Sequence, residues 1–480
     1  MRLKKILKNG DIREIKNFKD YSIKSITHMS RDVGKSSMFI CINGNNFNGN
    51  DFALDAIEKG AKCILTQEDL ELGENVTIVK VKDIRIAMSV VAKNFYNNSC
   101  DDLKIIGIIG TAGKTTTSII IANILRHLDR NIGVIGTNGI FIGDMKLSNK
   151  FTTPDPLDLH YIFFQMKSLG VKTVIMEVSA QAIFLKKLYG VYFDKCVFTN
   201  ISEEHLDFFG SMENYAKCKM DFFRHDNMRE CVVNVDDFYG MEIAYKTDIP
   251  CVSYAVKVPA NSFALDIDVH IDRLKFVANI LDEVINVDTG LVGDFNVYNL
   301  LAGMTVSKML GVSAKTIEDS VNTMKEILGR LNCFEKNGVK IIVDFAHTPE
   351  SFEKTLSFVK KFCTNKIITL FGCVGYSDKQ KRIDMGSVAD KFSDSMILTT
   401  DNRGKVSFDS ICDDIKLGIQ KCKPICIEDR KNAIFQGLKL CEKGDIFCIL
   451  GKGAEDFQTI GEDRIPYSDL EVVNDYLKGE

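Results

Sequence analysis

The chain has 480 residues, 45% hydrophobic and 26% charged, the composition of a folded globular protein and not of a disordered, fibrous or membrane chain. Its 61 basic and 65 acidic residues leave a net charge of −4, which gives no electrostatic case for a duplex or another polyanion partner. At about 150 residues per domain the length predicts roughly three domains, each large enough to bury a core.

The opening stretch MRLKKILKNGDIREIKNF meets charges too early to be the apolar core of a signal peptide, and no apolar run reaches the ~18 residues of a membrane span. A cytoplasmic protein with no membrane span is expected. The 15 cysteines are scattered singly and form no C-x-x-C pair, so they read as reduced core thiols. Cys422 and Cys426 have the closest spacing, but no second His/Cys pair accompanies them to complete a metal site.

A first unit is expected over residues 1–100, ending at the polar stretch NNSCDDL (97–103). Beyond it come short β-branched runs, each followed by turn residues and then a longer helical pattern. They are KIIGIIG (104–110), TVIMEV (173–178), KCVFTN (195–200), CVVNVD (231–236), KIIVDF (340–345), KIITLFG (366–372), SMILTTD (395–401) and IFCILG (446–451). Such runs are buried on both faces, which predicts α/β domains with parallel sheets. Residues 240–292 read as short alternating strands, an antiparallel extension of a middle domain spanning 101–327. The segment around Gly329 and Gly338 opens a third domain, 328–480. In parallel sheets chemistry collects beyond the carboxyl ends of the strands. Polar residues stand there in this chain: Glu177 and Ser179, Thr199 and Asn200, Asp344 and His347, Asp401 and Asn402, Lys452 and Glu455.

The strongest local signal is Gly110-Thr111-Ala112-Gly113-Lys114-Thr115-Thr116, between a buried strand and a helix. It offers what a bound phosphate needs: converging backbone N–H groups, glycines that permit close approach, a lysine charge and a hydroxyl for Mg²⁺. Ile108 stands where the strict G-x-x-x-x-G-K-[ST] pattern has its first glycine. Glu177 ends an apolar strand, where an unpaired carboxylate is costly, so it is a metal candidate next to such a loop. His205, in SEEHLDFFG, is as compatible with a satisfied loop histidine as with a ligand.

Together these segments resemble the Mur ligase family, whose members form peptide bonds in peptidoglycan precursors. GTAGKTT (110–116) is similar to the family's GTNGKTT, MEVSAQAI (176–183) to MEVSSHAL, VFTNISEEHLDFFG (197–210) to VFTNISxDHLDFHG, and FNVYN (295–299) matches a form common there. GRLN (329–332) is similar to GRME, DFAHTPE (344–350) to DYAHTPD, DKQKR (378–382) to DKGKR and GKGAEDFQ (451–458) to GKGHEDYQ. The triplet Thr152-Thr153-Pro154 and the early Ser30-Arg31 point to the branch that adds the third residue.

The resemblance implies a three-domain α/β architecture: a central P-loop-type parallel-sheet ATPase domain between an N-terminal UDP-substrate domain and a C-terminal Rossmann-like, amino-acid-binding domain. It implies an ATP- and Mg²⁺-dependent ligase, monomeric and cytoplasmic, that activates the carboxylate of UDP-MurNAc-L-Ala-D-Glu as an acyl phosphate and joins it to a free amino acid. Lys114 and the loop 110–116 would hold the phosphates, with Thr115 and Glu177 on one Mg²⁺. His205 and a CO₂-carbamylated Lys219 would serve a second metal, and Lys217 is the register-shifted competitor of Lys219. Asn296, Asn299, Arg330 and Asp344 would face adenine and ribose. Ser30, Thr152, Thr153, Ser179 and Lys187 would contact the UDP substrate. Arg382, Asp401, Asn402, Gly451 and Glu455 would line the amino-acid pocket.

Departures concentrate in that pocket. Ser377 and Gly404 stand where the diaminopimelate-adding branch has arginines, Arg403 lies one position earlier, and Lys405 would repel a lysine side chain. Gln181, Phe209 and Ala454 replace family histidines, and Glu204 replaces an aspartate. These changes suggest a second, divergent copy. Two other readings are a related ligase on another carboxylate, such as a folyl substrate, and a non-catalytic nucleotide-binding regulator. Thr152-Thr153-Pro154 weighs against the first, and retention of Lys114, Thr115, Glu177, His205 and Lys219 against the second.

Overall fold

The computed structural model describes residues 1–44, 47–129, 131–147, 151–376 and 378–479. The first sheet contains β1 (Ile12–Lys16), β2 (Ser25–Thr27), β3 (Ser37–Ile40), β4 (Cys63–Thr66) and β5 (Thr77–Val81), in the order β1-β5-β4-β3-β2. It is parallel except for β1.

Eleven strands form the second sheet: β6 (Lys104–Ile109), β7 (Gly133–Gly136), β8 (Gly139–Ile142), β9 (Met145–Leu147), β10 (Thr173–Val178), β11 (Phe193–Phe198), β12 (Met228–Asn234), β13 (Cys251–Ala255), β14 (Ser262–Val269), β15 (Leu274–Ile280) and β16 (Glu283–Thr289). Their order is β16-β15-β14-β13-β12-β11-β6-β10-β7-β8-β9. The run from β14 to β7 is parallel and both margins are antiparallel. Residues 240–292 are thus only partly the expected antiparallel extension. The chain is helical over Phe238–Lys246, where Asp237 caps the free amides of Tyr239 and Gly240, and β13 and β14 still run parallel to the block. Only β15 and β16 turn back.

Isoleucines of β6 show why this sheet lies inside. Ile105 and Ile109 enter one apolar cluster while Ile106 and Ile108 enter the other, so alternate residues are buried on opposite faces. On the second face the helix Lys114–Arg126 packs against the helix Phe295–Met309, and a Cβ at Gly303 would come within 2.5 Å of Ile120. That close approach brings Asn299 to the loop that starts the first helix.

The third sheet comprises β17 (Asn332–Lys336), β18 (Val339–Asp344), β19 (Ile367–Phe371), β20 (Ser395–Leu398), β21 (Ile425–Cys426) and β22 (Ile446–Leu450), ordered β17-β18-β22-β19-β20-β21 and parallel from β18 on. A hairpin of β23 (Phe457–Ile460) and β24 (Asp463–Pro466) follows. Ile271 and Val292, from the margin of the second sheet, belong to the same apolar cluster as Ile342, Phe352 and Leu398 of this unit. A groove of about 560 Å³ lined by Ile271, Arg273, Asp288, Leu331 and Cys333, among others, runs along that joint. All 15 cysteines are free thiols. Among the described residues no helix is long and apolar enough to cross a membrane.

One ion pair underpins the third unit. Arg430 and Asp469 are both fully buried and joined by two parallel bonds of 2.8 Å, and Arg430 also donates to the Leu450 carbonyl at the end of β22. Breaking such a pair leaves an uncompensated buried charge and costs about 3–5 kcal/mol. Asp469→Asn is therefore expected to lower the unfolding free energy by about that amount, read from urea denaturation followed by circular dichroism.

Candidate active site

The loop Gly110–Thr116 leaves the end of β6 and enters the helix Lys114–Arg126. Gly113 has φ 86°, and a Cβ there would sit 2.4 Å from Asn299 Oδ1, so only glycine fits. Asn200, beyond β11, braces the loop from the other side: its Oδ1 accepts from the Ala112 amide (2.9 Å) and its Nδ2 donates to the Ala112 carbonyl (3.1 Å). The Thr199 hydroxyl donates to the same carbonyl at 2.7 Å. Lys114 Nζ curls over the loop and donates to the carbonyls of Gly110 (2.9 Å) and Thr111 (2.7 Å). The first-turn amides of the helix lack intrahelical partners by geometry and carry its positive dipole end, a ready anion site.

Glu177, 1% exposed at the end of β10, accepts from Thr115 Oγ1 (2.9 Å), Thr137 N (3.0 Å) and Thr137 Oγ1 (3.0 Å). Thr137 follows β7, so this carboxylate ties together the carboxyl ends of three strand connections. Thr137 Oγ1 also lies 3.1 Å from Thr152 Oγ1. Thr153 donates to the Glu177 carbonyl at 2.9 Å and accepts from Ser179 N at 3.0 Å. Lys187 pairs with Asp155 at 2.8 Å and lies over the Phe151 ring. Thr152, Thr153, Ser179 and Lys187 thus gather beside the loop. Ser30 stands in the first sheet's unit, where Lys59 Nζ reaches its carbonyl.

On the loop's other flank, Lys219 is 1% exposed and donates to Tyr215 Oη (2.6 Å) and Thr111 Oγ1 (3.0 Å). Burial first, then the charge of Lys114, holds its ammonium well below the usual lysine range. Lys217, by contrast, is an exposed partner of Asp221, so these contacts favour the Lys219 register. Between Lys114 and Lys219 lies Glu204. Burial pushes its carboxyl up, but Lys114, His205, His347 and Lys219 together hold it below the ordinary range. His205 Nε2 and His347 Nε2 are each 3.9 Å from it, and His347 arrives from the third unit. Burial, and then Lys381, depresses the His347 imidazolium, against the pull of Glu204.

Arg330 lies over the Phe345 ring at 4.6 Å and feels the charges of Asp344 and Glu177, which oppose the depression that burial imposes. Asp344 spends its carboxylate on the amides of Leu331 and Ala346 (2.8 Å each), fixing the strap that carries Arg330. Asn296 and Asn299 are buried and bonded to each other at 2.7 Å.

The residues expected around an amino acid divide into two groups. Asp401, Asn402, Gly451 and Glu455 meet at the carboxyl ends of β20 and β22, where Asn402 Nδ2 donates to Glu455 Oε2 at 3.0 Å. Arg382 is turned away from them: its guanidinium is buried on Asp414 (2.9 Å) and the Gly375 carbonyl (2.7 Å). The loop between β19 and the following helix claims this arginine through the carbonyls of Val374 and Gly375, which sequence spacing does not show. Lys405 pairs with Glu462 on the surface, and Ser377 lies outside the described residues.

Thr137 and Glu204 do not stand among the expected site residues, and Lys452 is expected only as a polar residue beyond a strand's carboxyl end, with no role. The signal for Thr137 was its place at the end of the short apolar run GVIG. Glu204 and Lys452 sit beside motif residues but take their importance from neighbours distant in sequence.

A hydroxyl beside a carboxylate, Thr115 and Glu177, is a hard-oxygen donor pair that suits Mg²⁺. Among the described residues no group of three His, Cys, Asp or Glu side chains is arranged for a metal. His205 and an amine at Lys219 do not make a second cation site, whereas a carbamate on Lys219 would supply the missing oxygens.

A nucleotide loop on the central sheet, faced by an arginine from a third unit, defines an ATP-dependent ligase architecture, and the comparisons agree. The Mur ligase middle domain matches residues 108–307, the Mur ligase glutamate ligase domain 329–453 and the Mur ligase family catalytic domain 22–96. The UDP-N-acetylmuramoyl-L-alanyl-D-glutamate–2,6-diaminopimelate ligase of Clostridium perfringens is 35% identical over 490 residues, covering 100% of both chains. The ligase of that name from Clostridioides difficile is 35% identical over 485 residues, covering 99% of both. A solved diaminopimelate ligase structure superposes with a TM-score of 0.67 at 26% identity over 95% of both chains. A MurF ligase of Thermotoga maritima in complex with ADP shares the fold, with a TM-score of 0.65 at 20% identity over 89% of this chain and 93% of that one. This chain belongs to the Mur ligase family, and is an ATP-dependent acid–amino-acid ligase of peptidoglycan synthesis.

Gly113→Ala forces a left-handed backbone conformation that costs an L-residue about 1–2 kcal/mol, before the clash with Asn299. ATP affinity by calorimetry is expected to fall by about tenfold or more, with the circular dichroism spectrum retained.

Proposed function

We propose that this chain adds the third residue to UDP-N-acetylmuramoyl-L-alanyl-D-glutamate in the cytoplasm, with the domains 1–100, 101–327 and 328–480 serving the UDP moiety, ATP and the incoming amino acid. One observation carries this reading. Thr152 and Thr153 join Thr115 of the nucleotide loop through Thr137 and Glu177, so an acid held by the threonines lies beside the terminal phosphate. The names and full-length coverage of the relatives support the same substrate.

The chemistry needs positioning and charge neutralisation more than covalent help. An oxygen of the substrate carboxylate takes the γ-phosphoryl group as its bond to ADP breaks. The amine nitrogen then attacks the acyl carbon, inorganic phosphate leaves, and the ammonium proton passes to solvent. Lys114 exchanges its loop carbonyls for phosphate oxygens, and Arg330 approaches the nucleotide from the third unit as the domains close. Mg²⁺ on Thr115 and Glu177 would neutralise phosphate charge. Burial leaves Lys219 with an available free amine, which attacks CO₂ to form an N–C bond and releases one proton. Its product is an anionic carbamate in place of a neutral amine.

Purified protein with ATP, Mg²⁺ and the UDP-dipeptide is expected to release phosphate with one member of an amino-acid panel that begins with 2,6-diaminopimelate and lysine. ATP binding without product from any amino acid would sink the proposal. Lys219→Ala is expected to lose at least a hundredfold in kcat, restored in part by short carboxylic acids and not by bicarbonate. Loss at Lys217→Ala with none at Lys219→Ala would put the carbamate elsewhere.

A further inference from the structure

A buried lysine lies under the carboxyl edge of the third sheet. Lys452 is 0% exposed, yet its ammonium has a full set of partners: Glu455 Oε2 at 2.7 Å, Asn402 Oδ1 at 3.2 Å and Asp401 Oδ1 at 3.6 Å. Its Nζ also lies over the Phe457 ring, 5.5 Å from the centroid. The partners come from two separate connections, Asp401 and Asn402 after β20 and Glu455 after β22. Asn402 is further pinned by Thr459 N, which donates to Oδ1 at 2.9 Å. Beneath Asp401, Arg430 and Asp469 neutralise each other. That leaves Lys452 alone against two carboxylates, so the cluster carries one surplus negative charge. A buried surplus negative charge is costly without a cation, and Glu455, with its side chain a quarter exposed, is where a cation can reach it.

We propose that Lys452 is a positioning residue of the amino-acid site, which together with Asn402 holds Glu455 in place to receive the ammonium group of the incoming amino acid. This rests on the ligase reaction proposed above. The lysine does not touch the substrate. It sets the rotamer of Glu455, the side chain that does, and its charge opposes the protonation of that carboxylate. Burial pushes the Glu455 carboxyl up, Lys452 opposes that rise and Asp401 adds to it. The charged and titratable groups facing Glu455 are Lys452, Asp401 and Tyr376, the last from the loop after β19.

Lys452→Met removes the charge and the donors, and Lys452→Gln keeps an N–H donor without the charge. In both, the KM for the amino acid is expected to rise tenfold or more, while the KM values for ATP and the UDP-dipeptide stay within twofold. The acidic limb of kcat/KM for the amino acid is expected to move to higher pH, because Glu455 without Lys452 takes up a proton more readily. A purely structural lysine would lower Tm and leave the amino-acid KM alone, and that result overturns the inference. An equal rise in all three KM values overturns it as well. If the Met variant does not fold, the Gln variant decides. A wild-type chain that releases no phosphate with any amino acid overturns the ligase reading and this inference with it, whereas an active wild type with an unchanged KM in the variants overturns this inference alone.

Discussion

A carboxylate in the middle of an apolar sheet governs the centre of this molecule. Glu177 is the penultimate residue of a strand that is apolar and buried apart from Thr173, and a carboxylate in that position must be hydrogen-bonded or its burial costs several kcal/mol. Its partners are one hydroxyl from the nucleotide loop and an amide and a hydroxyl from the turn after β7. Satisfying one charge therefore brings three strand ends into register. The substrate threonines then attach to the same carboxylate through its own backbone and through Thr137.

Around that centre the charges are arranged in opposition. Lys114 and Lys219 come from the second unit and His347 from the third, and Glu204 lies among them. A cluster so rich in nitrogen donors suits phosphate and carboxylate ligands while the chain stays near neutral overall. The second charged cluster, at the edge of the third sheet, has the opposite sign, with Asp401 and Glu455 against Lys452. An anion-receiving edge on one sheet and a cation-receiving edge on another correspond to the two kinds of reactant a ligase must hold. The apolar joint of Ile271 and Val292 with the third unit's core packs the two units together.

Much of this was legible in the residues alone. The eight apolar runs became strands within a few residues of where β-branching and turn residues place them, because a strand buried on both faces has little freedom to be anything else. The phosphate loop was legible for a similar local reason: glycine where φ is positive, and lysine and threonine at the start of a helix. The failure at 238–246 is equally local, since Asp237 offers a helix cap that outweighs the β-branched pattern further on. Arg382 shows the limit of reading by motif. Its position matches a family motif, but its guanidinium is spent on Asp414, a residue 32 positions later that spacing does not connect to it.

By itself the sequence determined the strand and helix identities, the nucleotide loop and the family, because these depend on periodicity, capping and residue type within short windows. Tertiary structure alone decided that Thr137 binds Glu177, that Glu204 sits among two lysines and two histidines from two units, and that Lys452 is bonded to Glu455 beside Asp401. Electrostatic work depends on distance in space, and parallel strands joined by long crossovers bring together residues that lie 50 or more positions apart, as with Asn402 and Glu455.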